Sequence, residues 1–322
     1  MSEIPSTAAS RPSETPWERT LICELAREAL KEQRRGRRWN IFFKLAFLIY
    51  ITVALFLYTP GSLFDDEEQG PHTALVDISG TISADSEASA DRIVTGLRAA
   101  FKDEEAKGVI IRINSPGGSP VQAGYIYDEI RRLKAEHQKK KVFAVIGDLC
   151  ASGGYYIAVA ADQIYADESS LVGSIGVLLN GFGLVEAMNK VGVERRLYTA
   201  GENKGFLDPF SPVNEGQVEH LQGVLDVLHQ EFIRVVREGR GARLKGDEQL
   251  FSGLIWSGAE SKELGLVDAF GSASYVAREI LGAERIVDYT PQPGLLQRFA
   301  DRVGVGLARA ISTQFGVNPV PR

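Results

Sequence analysis

Ile41–Tyr58 reads IFFKLAFLIYITVALFLY and is the most apolar stretch of the 322-residue chain. Such a run has to be taken out of water, by a protein core or by a bilayer. A length of about 18 residues is near the minimum for a membrane-spanning helix. Lys44 interrupts it near one end, where an ammonium group can reach the lipid headgroups. Thr59-Pro60-Gly61 ends it. Arg34, Arg35, Arg37 and Arg38 precede the run, and no Lys or Arg follows until Arg92. That asymmetry predicts a cytoplasmic N-terminus and a body on the outer side of the cell membrane. A cleavable signal peptide is the rival reading, but Pro60 and bulky residues stand where small ones are needed. The expected order is a cytoplasmic segment 1–40, a single-pass anchor 41–58, a polar linker 59–71, a folded domain 72–285 and a C-terminal segment 286–322.

The net charge of -6 and pI of about 5.5 argue against nucleic acid as a partner. Two cysteines, Cys23 and Cys150, make no disulfide framework. His72, His137, His220 and His229 lack zinc-ligand spacing, and no phosphate-loop motif is present. Neither a metal nor a cofactor is implied.

After the linker, short apolar runs alternate with helical patterns. Ala74–Ile78, Gly108–Asn114 and Val142–Ile146 have the composition of buried strands. Ala88–Lys102, with Ile93, Leu97 and Phe101 on one face, and Val121–Glu136 read as helices. Ser152–Ala161 predicts a helix of small residues. Ser174–Leu179 and Arg196–Thr199 predict further strands, and Gln217–Arg237 a long amphipathic helix. The alternation predicts an α/β domain, either doubly wound or a spiral of β-β-α turns. Leu296, Phe299, Val303, Leu307 and Ile311 line one face of a last amphipathic segment, 294–315.

Three loops follow these apolar runs. In Asn114-Ser115-Pro116-Gly117-Gly118-Ser119 the paired glycines let backbone N–H groups converge, as an oxyanion hole requires; a plain turn is the simpler reading. In Gly147–Tyr156, Ser152 stands between strand and helix, where the helix N-terminus favours negative charge; its simpler role is a helix cap. Cys150 reads as a small buried residue. In Thr199–Phe206, Lys204 follows a predicted strand. A lysine can act as a base where apolar surroundings keep it neutral, and Phe206, Leu207 and Phe210 are near in sequence; most lysines are simply solvated.

These loops together resemble the signal-peptide peptidase (protease IV) family of serine–lysine peptidases, in its short single-domain form. Asp148 and Ala151-Ser152-Gly153-Gly154-Tyr155-Tyr156 carry the strongest likeness. Asn114–Gly118, Val172–Val177, Gly201 with Lys204, Ser257-Gly258-Ala259 and Leu264–Asp268 extend it over about residues 72–285. Cys150 departs from the alanine usual in the family, and Glu202-Asn203 lies in a variable stretch. The resemblance implies a crotonase/Clp-like spiral of β-β-α units. It implies Ser152 as nucleophile, Lys204 as general base and an oxyanion hole at Gly117, Gly118 and Gly153. It also implies a membrane-attached homo-oligomeric ring with sites shared between subunits, acting in the inner membrane on cleaved signal peptides and other apolar peptides. A crotonase-type acyl-CoA enzyme and a catalytically inactive anchored scaffold are the alternatives.

Overall fold

The computed structural model describes residues 16–58 and 70–292. The amphipathic segment expected at 294–315 and most of the linker lie outside the described residues. The chain divides into two units, Met1–Glu68 and Gln69–Arg322. In the first, α1 (Pro16–Tyr58) is one helix of 43 residues that contains the whole apolar run. The described side chains from Ile41 to Val53 are largely exposed, as among the described residues of this unit no second element covers them. Among the described residues no helix is long and apolar enough to cross a membrane. The described side chains of the run end at Ala54 and include Lys44, short of the roughly 20 residues a bilayer core requires; those of 55–58 lie outside the described residues. The structure therefore does not supply the spanning helix that the sequence predicts.

The second unit runs β1 (His72–Ser79), α2 (Ala90–Lys102), β2 (Ala106–Ser115), α3 (Pro120–Glu136), β3 (Lys141–Ala151), α4 (Gly153–Ala158), β4 (Gln163–Ala166), β5 (Leu171–Gly173), α5 (Val185–Lys190), α6 (Glu215–Arg240), β6 (Ile255–Ser257), α7 (Gly258–Glu263), β7 (Ala269–Phe270) and β8 (Ile286–Asp288). The sheet order is β6-β5-β3-β2-β1-β8, with β4 beside β3 and β7 beside β4. β6 pairs antiparallel to β5, and the other pairings are parallel. Parallel neighbours need crossovers. α2 carries the chain from β1 to β2, and α3 from β2 to β3.

Successive strand side chains face opposite sides, and here both sides are covered. Ala74, Val76, Ile78, Val109, Ile111 and Ile113 pack with Ile93, Leu97 and Phe101 of α2 and Ile126, Ile130 and Leu133 of α3. Leu75, Ile110, Phe143 and Val145 pack with Tyr165, Val276 and Ala277 on the other side. The double burial explains why these strands read as continuous apolar runs rather than alternating ones. The helices over 90–102 and 120–136 form as the spacing predicts.

The strands predicted at Ser174–Leu179 and Arg196–Thr199 do not form. β5 stops at Gly173 because Ser174 takes φ 52, which turns the chain out of extended geometry after its N–H has bonded Leu254 C=O at 2.7 Å. Among the described residues, those beyond it have no neighbouring strand, and an extended segment without one leaves its backbone groups to water.

α6 is tied to the sheet by a buried ion pair. Arg240 donates to both carboxylate oxygens of Asp268, at 2.8 Å each, and to Gly265 C=O at 2.8 Å. Burial alone would raise the Asp268 carboxyl. Arg240, the Ile164 N–H and Arg243 outweigh it and hold the group below its ordinary range. Its stabilising contribution is therefore complete above the unfolded carboxylate value and is lost as pH falls through the depressed folded one. Arg240→Met leaves Asp268 without its main partner and should cost about 3–5 kcal/mol. Urea unfolding at neutral pH measures this, and the variant should lose less stability than the parent on acidification.

Candidate active site

The parallel strands β1, β2 and β3 end at the same edge of the sheet, and their C-terminal loops meet there. The loop after β1 clamps the loop after β2 by four hydrogen bonds. Gly80 N–H donates to Asn114 C=O (2.9 Å), Ile82 N–H to Gly117 C=O (2.8 Å), Ser119 N–H to Ile82 C=O (2.8 Å) and Ser115 Oγ to Gly80 C=O (2.7 Å). Sequence reading missed this clamp, since Gly80-Thr81-Ile82 has no feature that distinguishes it from an ordinary turn.

Ser152 follows β3 and precedes α4, with φ 52 and ψ -121. A non-glycine residue in that region is held against a cost of about 1–3 kcal/mol, and such positions cluster at functional sites. Its backbone is fixed on both sides. The Ser152 N–H donates to Gly173 C=O at 2.9 Å, and its C=O accepts from Tyr156 N–H at 2.9 Å. Its side chain does not cap α4, so the simpler reading of this serine does not describe it. Tyr155, fully buried in α4, donates its hydroxyl to Leu266 C=O at 2.9 Å and anchors the helix that Ser152 opens.

The two loop glycines differ. Gly117 is buried, and its N–H donates to Ser115 Oγ at 3.0 Å, so that N–H is already engaged. Gly118 is exposed, and the bridge to Ile82 uses its neighbours' backbone groups, not its own N–H. Gly153 is the first residue of α4, where N–H groups have no partner within the helix. Gly118 and Gly153 adjoin: a Cβ on Gly153 would lie 3.4 Å from the Gly118 nitrogen. A Cβ on Gly117 would lie 2.7 Å from Ser152 Cβ, which places this loop against the serine.

Lys204 sits in an exposed turn, with its N–H donating to Gly201 C=O at 3.1 Å. Among the described residues its side chain has no hydrogen bond or ion pair, and nothing links it to Ser152 within the chain. Phe206 stacks edge-on against His220, and Arg195 lies over Phe210, so the aromatics expected around the lysine are engaged elsewhere. Cys150 is fully buried, which pushes its thiol far up and makes it an inert core group. Among the described residues no His/Cys/Asp/Glu group is arranged for a metal. Ser174 carries a second strained serine backbone, next to the carbonyl that holds Ser152; sequence reading treated it as strand.

The spacing leaves no room for side chains at Gly117 and Gly118. A Cβ on Gly118 would come within 2.2 Å of Ile82 C=O, at a φ of 145. Gly118→Ala should displace the loop and remove the activity of this site while most of the core is kept. Activity assayed beside circular dichroism checks this.

The sequence pattern of peptidase family S49 matches residues 134–284, and that of the Clp protease matches residues 73–168. The second match agrees with a Clp/crotonase-like α/β sheet. The chain is 32% identical over 201 residues to a Synechocystis protein named as a protease, covering 62% of this chain and 69% of that protein. It is 29% identical over 197 residues to an Enterococcus faecium protein named as signal peptide peptidase SppA, covering 61% and 57%. It is 48% identical over 210 residues to a Brucella melitensis protein named Na(+)/H(+) antiporter NhaA, covering 65% of this chain but 28% of that protein. The chain thus spans only part of the length of each of these relatives. With the Ser152 turn and the glycine loop lying inside the matched stretches, the chain belongs to peptidase family S49, the family of protease IV and the signal peptide peptidases.

Proposed function

We propose that this chain is a serine endopeptidase acting on apolar peptides, including released signal peptides, with Ser152 as nucleophile and Lys204 as general base. The observation that carries the reading is the Ser152 turn: a strained serine with an uncommitted hydroxyl, beside the unengaged N–H groups of Gly118 and Gly153. Ser152 Oγ attacks the scissile carbonyl carbon while neutral Lys204 Nζ takes the hydroxyl proton. The carbonyl oxygen becomes an oxyanion that accepts from Gly118 and Gly153. Gly117, named with them from the sequence, supports the loop instead, because its N–H is held by Ser115. Collapse breaks the C–N bond, and Lys204 returns the proton to the leaving amine. Water, giving a proton to the same lysine, then attacks the acyl carbon; the C–Oγ bond breaks and Lys204 returns the proton to Ser152 Oγ.

Lys204 is exposed and has no link to Ser152 among the described residues, so on this reading the base comes from a second copy of the chain. The proposed assembly is a homo-oligomeric ring in which one subunit's serine meets its neighbour's lysine. Leu178, Phe182 and Tyr198 are 80%, 87% and 89% exposed in the single chain, and a subunit contact over 174–213 would cover them. We further propose that α1 ties the ring to the inner membrane, with residues 1–40 cytoplasmic and the body outside. The exposed apolar side chains from Ile41 to Val53 and the arginines before them support this.

Ser152→Ala should lower kcat by at least about a thousandfold. Lys204→Arg should be equally inactive, since guanidinium stays protonated. Each inactive subunit type, Ser152→Ala and Lys204→Ala, should regain part of the activity when co-assembled with the other. Well-mixed assemblies that stay inactive would place the dyad within one chain. A reporter that works only when exported, fused after Arg322, should be active; one that works only in the cytoplasm should not.

A further inference from the structure

Between the pairs Ile113↔Ile146 and Ser115↔Cys150, β2 advances past one residue, Asn114, while β3 advances past three, Gly147, Asp148 and Leu149. Extra residues in one strand leave backbone groups without ladder partners and bend the chain. Here the Asn114 side chain meets them. Its Oδ1 accepts from Leu149 N–H at 3.1 Å, and its Nδ2 donates to Asp148 Oδ2 at 3.0 Å. Ser170 Oγ donates to Gly147 C=O at 2.6 Å and holds the other end of the bulge. The space is cut for this side chain, because a Cβ on Gly147 would lie 3.3 Å from Asn114 Cβ.

We propose that Asn114 is a positioning residue for the nucleophile, its amide fixing the Asp148–Leu149 bulge and so setting where Ser152 stands. This rests on the reading of Ser152 as nucleophile. Ser152 lies three residues past Leu149, and its strained φ is kept only if the chain entering it is fixed as firmly as the chain leaving it. The exit is fixed by the Tyr156 N–H bond into α4; the entry is fixed by the Gly173 carbonyl and the pairing with β5, and at the bulge before them by Asn114. The carboxamide accepts from a backbone N–H through its oxygen and donates to a carboxylate through its nitrogen, so one side chain bridges both groups. The two partners also fix which end of the amide is oxygen. Both ends of the Asn114 amide are engaged, the oxygen by Leu149 N–H and the nitrogen by Asp148. Its backbone C=O accepts from Gly80 N–H, so the same residue also touches the clamp on the glycine loop.

The test exchanges the polarity of the pair. Asn114→Asp keeps an acceptor for Leu149 N–H but sets two carboxylates face to face. It should lower kcat for an apolar peptide by about tenfold or more with KM little changed. The rate at which a fluorophosphonate labels Ser152 should fall in step. Asp148→Asn keeps an acceptor for Asn114 and should cost less than about threefold. Combining the two places a new amide at 148 opposite a new carboxylate at 114, restores one donor and one acceptor, and should recover most of the lost kcat. The pH–rate profile should keep its shape in all three, because the base is untouched. Rates are expressed per phosphonate-titrated site, so that loss of folded protein does not count as loss of turnover. An Asn114→Asp enzyme that turns over like the parent per site, or a double variant no better than Asn114→Asp, overturns the proposal. Ser152→Ala is measured alongside: activity surviving in it overturns the nucleophile reading itself, whereas an inactive Ser152→Ala beside an unimpaired Asn114→Asp overturns the positioning role alone.

Discussion

The end of β2 faces one strand on each side, and its last two residues serve both. Ser115 turns toward the β1 side, donating to Gly80 C=O and accepting from Gly117 N–H. Asn114 turns toward the β3 side and holds Asp148 and Leu149. A parallel sheet brings strand ends to one edge, but it does not order the loops that leave them. Because Ser115 bonds the loop on the β1 side and Asn114 the bulge on the β3 side, a single dipeptide fixes two loops at once. The glycine loop and the Ser152 turn are thereby referred to the same backbone, which ties the position of the N–H donors to that of the hydroxyl.

Strain at Ser152 makes sense in this setting. Cys150 and Ser152 are two residues apart, and in a continued strand both side chains would enter the core. Cys150 does so completely. The positive φ at Ser152 breaks the alternation and turns the hydroxyl out to the strand edge. The buried thiol two residues away is for the same reason chemically silent, since burial holds it protonated. A single backbone angle thus separates a core residue from the serine proposed as the nucleophile.

Much of this was legible in the sequence, for reasons that differ by element. Doubly covered strands announce themselves as apolar runs, and Ile93, Leu97 and Phe101 mark the face of α2 without ambiguity. Gly117 and Gly118 signal a special turn, but which N–H stays free depends on Ser115, whose hydroxyl takes one of them. No pattern of residue types encodes that choice. β3 reaches Ala151, five residues beyond the apolar run that identified it, because Asn114 and the pairing of Ser115 with Cys150 carry the strand past its polar bulge. The strands expected at 174–179 and 196–199 have β-type composition, yet composition states a preference for being paired and not the presence of a neighbour in the same chain.

That last mismatch and the position of Lys204 have one physical origin. From Ser174 to Asn214 the chain leaves the sheet, exposes Leu178, Phe182 and Tyr198, and carries Lys204 on an exposed turn. The residue types in this stretch are those of an interior, while its surroundings in the single chain are those of a surface. Water opposes the exposure of large apolar side chains, and burial is what favours the neutral form of an amine. Covering the stretch would act on both at once, removing apolar area and desolvating the ammonium group. On the proposed reading, assembly and activation of the base are then a single event. A separated chain would keep its serine shaped and its donors in place but hold no competent base, which restricts proteolysis to the assembled form.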